Sequence, residues 1–104
     1  MKPESLNEKI KGSDESKNMG SKPKKFKVYI FDNSETPRML VQDLLMTVFK
    51  HSLNSSNDII SEIETEGLAT VGEYVYEIAE QKVAECIAAS NRIGTPLEVT
   101  VDSE

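Results

Sequence analysis

Apolar residues recur along the chain with a period that changes from segment to segment, and each change marks an element. FKVYIF, residues 26–31, is β-branched and aromatic, which predicts a strand. Beyond it, Leu40, Val41, Leu44, Leu45, Val48 and Phe49 form a stripe near period 3.6, which predicts an amphipathic helix. Thr36-Pro37 is its expected start, with Thr36 as N-cap and Pro37 at the first helical position. The polar stretch from His51 to Asn54 interrupts the pattern. Ser55, Ser56 and Asn57 offer caps for a second helix carrying Ile59, Ile60 and Ile63, and Gly67 stands where a left-handed terminal residue is expected. LATVGEYVY, residues 68–76, has strand composition, and its Gly72 suggests a bulge or a close backbone approach. The periodicity predicts a third helix from Glu77 to Asn91, with Ile78, Ala79, Val83, Cys86 and Ile87 facing inward. Arg92 suits its last turn and Gly94 stops it. After Pro96, Leu97, Val99 and Val101 alternate with polar residues as a half-buried strand should. The order β-α-α-β-α-β contains no repeat. It predicts a small α/β (α+β) two-layer sandwich, a three-stranded sheet covered by three helices.

Charge divides the chain in two. Residues 1–27 hold eight lysines against four acids, a net +4, while residues 28–104 hold four basic residues against fourteen acids, a net −10; together they give −6. Residues 1–25 are rich in Lys, Ser, Glu and Gly, with Leu6, Ile10 and Met19 almost alone as apolar residues. Such a segment cannot bury enough surface to offset its ordering entropy, so a disordered N-terminal extension is expected before a core domain at 26–104. The acidic body argues against nucleic acid, whose phosphates demand a basic face, and fits cationic partners better. No apolar run reaches membrane-spanning length. The single cysteine, Cys86, excludes an internal disulfide and suits a reducing compartment. With no signal-peptide pattern at the start, the expectation is a cytoplasmic monomer, with a plastid stroma open if a transit segment has been removed.

The residues give little support for catalysis. There is no Gly-rich phosphate loop, no metal-spaced His or Cys pair, and no carboxylate spacing that marks an acid/base couple. His51 lies in a polar break and reads as a solvated surface residue. Cys86 falls on an apolar stripe and reads as a buried structural thiol. A non-enzymatic binding module without metal or cofactor is the better class. Two polar clusters could serve one. Asp32, Asn33 and Ser34 exceed what the turn before Thr36-Pro37 requires, although turns favour such residues. Glu62, Glu64 and Glu66 crowd a helix end where acids oppose the dipole, yet they are also what a solvated helix end can carry.

The chain from about Lys27 to Asp102 resembles the ClpS family, adaptors that deliver N-degron substrates to the Clp AAA+ protease. The resemblance rests on the strand, polar run and Thr36-Pro37 junction, on Glu66-Gly67, and on GEYVYEIAEQKVA at residues 72–84. The last is similar to the family signature G-x-[FY]-x-x-E-x-A-E-x-K-V-A, with Gly72, Tyr74, Glu77, Ala79, Glu80, Lys82, Val83 and Ala84 in register. TPLEVTVDSE at the C-terminus is similar to the family's H-P-L-x-x-T-[LV] ending.

The resemblance implies a site for the α-amino group and first side chain of a peptide. Asp32, Asn33, Ser34, Thr36 and Glu64 would receive the ammonium, and Ile30, Arg38, Val41, Ile60 and Ile63 would line the side-chain pocket. Three departures stand out: Asp32-Asn33-Ser34 replaces the family's Asn-Asp-Asp, Glu64 takes a His position, and Arg38 takes a Met position at the pocket entrance. Arg38 would pair with Glu35 or Glu64, or else narrow or reshape the pocket. Glu77, Glu80 and Lys82 match the third-helix charges that engage the N-terminal domain of a ClpA- or ClpC-type unfoldase, and the N-terminal arm corresponds to the extension offered to the unfoldase pore. The partners implied are therefore that domain and the N-terminal segments of substrates. Two alternatives stay open: a paralogue that docks on the unfoldase without binding N-degrons, and an assembly domain similar to the C-terminal domain of the ribosomal stalk protein.

Overall fold

The computed structural model describes residues 23–103. Its sheet is antiparallel, in the order β2 (Leu68–Val75), β1 (Lys25–Phe31), β3 (Val99–Ser103). The helices α1 (Arg38–Thr47), α2 (Leu53–Glu66) and α3 (Tyr76–Ile93) complete the order β-α-α-β-α-β. Val28 and Ile30 of β1 are buried against the helices, and the residues opposite them, Gly72 and Ala69 on β2 and Val101 and Val99 on β3, share that face. Lys27, Glu73 and Asp102 stand side by side in the ladder on the other face. One apolar and one polar face give the two-layer sandwich expected from the periodicity. The expected extension at 1–25 lies outside the described residues as far as residue 22; Lys25 already belongs to β1.

All six apolar positions expected on the first helical stripe are buried, as are Ile60 and Ile63 on α2. The third stripe departs from expectation. Ala79 and Cys86 are fully buried and Val83 packs partly on the core, but Ile78 and Ile87 are 41% and 42% exposed. The face of α3 that meets the sheet is narrow and is carried by Ala79, Cys86 and Ser90. Small residues let the helix approach closely, and the larger isoleucines are left at its flanks.

Two helix starts also differ from expectation. Thr36 does not cap α1: its hydroxyl donates to the Pro96 carbonyl at 2.8 Å. Pro37 stays extended (φ −61°, ψ 133°), and its carbonyl accepts from the Leu40 and Val41 N–H groups, so Arg38 is the first helical residue. The cap of α2 is Ser52, one turn earlier than expected; its Oγ accepts from the Ser55 N–H at 3.1 Å. Ser55 and Asn57 are engaged elsewhere, with His51 and Gln42, and Ser56 is buried.

Gly72 meets both expectations for it. The register runs Val28 to Gly72 and then Tyr29 to Thr70, so Val71 is an extra residue in a β-bulge. The bulge switches the inward positions of β2 from Ala69 and Val71 to Gly72 and Tyr74. A side chain at residue 72 would collide with the Tyr74 ring, which lies directly over the glycine. His51, expected to be solvated, is instead half-buried beneath this bulge. One ring nitrogen, Nε2, lies 2.7 Å from the Val71 carbonyl, and Nδ1 lies 3.1 Å from the Ser55 hydroxyl. A neutral imidazole protonated on Nε2 satisfies both, donating to the carbonyl of the bulged residue.

Two tests follow from this packing. His51→Ala leaves the Val71 carbonyl without its donor and should lower stability by about 1–3 kcal/mol in urea unfolding. His51→Asn, which keeps an N–H, should lose less. Burial pushes the Cys86 thiol up to about 12, so its thiolate is scarce near neutral pH. Iodoacetamide should therefore leave the native chain unlabelled by mass spectrometry and label it once in concentrated urea.

Candidate functional site

A cleft of about 60 Å³ opens between the end of β1, the start of α1 and the C-terminal half of α2. That volume is several times what one water needs and suits a single side chain. Its floor is Ile30, Val41, Ile60 and Ile63, all buried or nearly so, and its rim is Phe31, Asp32, Asn33, Thr36, Arg38 and Glu64. Nine of the ten residues expected at the site meet here. Ser34 does not: it is exposed at the tip of the turn and does not line the cleft. Phe31 lines it unexpectedly, since the final strand residue lies beside the rim that the loop forms. The register of α1 is unambiguous at this point, because Arg38 borders the cleft while Met39 is 80% exposed.

The rim is held from three sides. At its near end, the Asp32 N–H donates to the carbonyl of Gly67, whose left-handed conformation (φ 90°) ends α2. On the far side, the Phe31 N–H donates to the Glu98 carbonyl at 2.9 Å, Asn33 Nδ2 to a Glu98 carboxylate oxygen at 3.0 Å, and Thr95 Oγ1 to the Glu35 carbonyl at 3.1 Å. Within the turn, Asn33 Oδ1 accepts from the Glu35 N–H and the Asn33 carbonyl accepts from the Thr36 N–H. Asn33 is thus largely a scaffold residue. These bonds draw Pro96, Leu97 and Glu98 into the loop, so β3 starts at Val99, two residues later than its alternation suggests. The run Thr95–Glu98 was missed as a supporting element; its signal was only the polar residues between Gly94 and the strand.

Among the described residues three charged groups line the cleft, Asp32, Glu64 and Arg38, with a formal sum of −1. Arg38 Nη1 donates to Glu64 Oε2 at 2.9 Å, with the two side chains 52% and 53% exposed. Of the two pairings open to Arg38 from the sequence, the structure adopts Glu64. The ion pair relieves the repulsion that Asp32 and Glu64 would otherwise feel in an empty site. Among the described residues no hydrogen bond reaches the Asp32 carboxylate. A carboxylate, a half-shared carboxylate and hydroxyl and amide oxygens above an apolar floor can accept from an ammonium while the floor takes the attached side chain.

The other expected surface lies on α3, away from the cleft. Glu77 and Glu80 are exposed, and the Tyr76 hydroxyl donates to Glu80. That bond favours the protonated phenol and raises the Tyr76 pKa. Lys82 is half-buried: its Nζ donates to the Val48 carbonyl at the end of α1, at 2.9 Å, and stands 5.6 Å from the centre of the Tyr74 ring. It joins α3 to α1 as well as adding charge to the surface.

Comparison with known proteins bears on the family and the fold. Residues 21–100 match the model of the ClpS family, ATP-dependent Clp protease adaptor proteins. The chain is 31% identical over 83 residues to the ClpS adapter of Maricaulis maris, covering 80% of this chain and 76% of that protein. It is 35% identical over 83 residues to the adapter of Leptospira biflexa, covering 80% and 74%. Among solved structures, Agrobacterium tumefaciens ClpS2 bound to L-phenylalaninamide superposes with a TM-score of 0.75 at 30% identity, over 80% of this chain and all of that one. Fold, signature and sequence similarity agree over the same residues, and the chain belongs to the ClpS family of Clp protease adaptors.

Proposed function

We propose that this protein binds the free N-terminus of a substrate polypeptide in the cleft and presents the substrate to a Clp AAA+ unfoldase. The observation that carries the reading is the carboxylate rim of Asp32 and Glu64 set over the apolar floor of Ile30, Val41, Ile60 and Ile63. An α-ammonium and its own side chain are joined at one carbon, so a ligand with both must find acceptors and apolar surface within one side chain's reach. Few other ligands need that combination. The rim's formal charge of −1 is neutralised when one ammonium enters. ClpS2 in its complex with L-phenylalaninamide offers a precedent, since that ligand is an amino acid with a free amine and a blocked carboxyl.

Docking on the unfoldase N-terminal domain is assigned to the α3 surface bearing Glu77 and Glu80, flanked by the exposed Tyr76 and Ile78. Exposed charges beside apolar residues suit a specific but transient contact. Lys82 serves the same face indirectly by fixing α3 against the end of α1.

Peptides with a free amino end should bind in a fluorescence-anisotropy titration, and their N-acetylated counterparts should not. Asp32→Asn should weaken binding roughly tenfold or more, the scale for removing one charged acceptor. Binding that survives acetylation would refute the ammonium site. The docking face separates cleanly: Glu77→Lys with Glu80→Lys should abolish capture by an unfoldase N-terminal domain in a pull-down while leaving the peptide titration unchanged. Retained docking without any peptide binding would point to a regulator of the unfoldase.

A further inference from the structure

Building on the peptide-binding reading, we infer that Arg38 recognises the residue following the bound N-terminal one and selects a carboxylate there. Among the described residues Arg38 is the one basic residue lining the cleft, and its guanidinium is half exposed at the mouth. One of its five N–H donors is engaged by Glu64 Oε2. Glu64 is also an acceptor for the incoming ammonium. The two cations therefore compete for one carboxylate, and a bound amino end draws Glu64 away from Arg38. The guanidinium then needs another anion, because an arginine cannot shed its charge.

That anion does not come from the first side chain. The floor beneath it is four aliphatic residues, where a carboxylate would lie buried without a partner. In an extended peptide successive side chains point to opposite sides. With the first side chain in the cleft, the second points out over the mouth, where Arg38 stands on a flexible stem. The rest of the folded body gives the opposite bias. Residues 28–104 carry a net −10, a field that on its own favours basic peptides and repels acidic ones. Arg38 is a local exception to that field at the point where the peptide leaves the cleft. Glu64 and Arg38 thus act as an exchangeable pair, Glu64 passing to the ammonium and Arg38 to the acid of the same peptide.

The test uses free-amine peptides in two series, beginning with Phe and with Leu, that differ only in Asp, Ser or Lys at the second position. They are titrated against the full chain and the Arg38→Met and Glu64→Gln variants. The wild type should bind the Asp peptide about fivefold more tightly than the Ser peptide, the scale of an exposed ion pair, and should bind the Lys peptide most weakly. In Arg38→Met the Asp preference should vanish or reverse toward Lys. Glu64→Gln should keep the Asp preference, since Arg38 remains, with weaker binding throughout. A wild type that favours Lys, or an Asp preference that persists in Arg38→Met, overturns the inference and leaves the peptide-binding reading standing. Failure of every free-amine peptide to bind removes both.

Discussion

The hydrogen bond from the Phe31 N–H to the Glu98 carbonyl is the contact on which the shape of the cleft depends. A strand that ends inside a sheet normally releases its chain into solvent. Here the last bond of the β1–β3 side continues one step beyond the ladder and brings Thr95–Glu98 against the loop that follows β1. The Asn33, Glu35 and Thr36 contacts are available only because that segment is present. On the opposite side the Gly67 carbonyl fixes Asp32. A loop held from both neighbouring strands can keep oxygen acceptors pointing at one place without a ligand to order them. Preorganisation of this kind limits the entropy lost on binding, which matters in a cleft that contacts little more than one residue.

Much of this was readable in the residues. The six-residue stripe from Leu40 to Phe49, the β-branched and aromatic run of β1 and Gly67 as a left-handed terminus each followed from local chemistry and appear in the structure. The cleft was readable at one remove: its floor and most of its rim came from the resemblance to a family, and the structure gathers them. What was not readable depended on partners distant in sequence. Thr36 has the chemistry of a cap, but a carbonyl sixty residues away takes its hydroxyl. His51 has polar neighbours in sequence and reads as solvated until the carbonyl of Val71, at the bulge, is placed over it. Ile78 and Ile87 fit a helical stripe, yet the stripe actually used is set by how closely α3 approaches the sheet.

The bulge at Val71 connects the cleft to the proposed docking face. It turns Tyr74 inward over Gly72, and the Tyr74 ring in turn lies near Phe49 and beneath the Lys82 ammonium. Lys82 donates to the carbonyl of Val48, so the end of α1 is attached to the middle of α3. His51 meanwhile ties the α1–α2 connection to the bulge itself. The helix that begins at the cleft with Arg38 therefore ends against the helix that carries Glu77 and Glu80. On the proposed reading, a peptide at one end and a partner at the other would bear on this common frame, which suits an adaptor.

The two substitutions at the mouth make sense as a pair. Where the resemblance implies a His and an apolar Met, this chain has Glu64 and Arg38, and their two charges cancel. Either alone would be costly. Glu64 without Arg38 would face Asp32 across the empty cleft, and Arg38 without Glu64 would hold a cation where an ammonium must enter. Together they leave the site's charge at −1, close enough to hydrogen-bond at 2.9 Å and exposed enough to exchange partners. Solvent keeps such a pair weak, and here weakness is useful. A strong, buried pair would lock the mouth, whereas one worth little can be broken by a ligand that offers each partner an opposite charge.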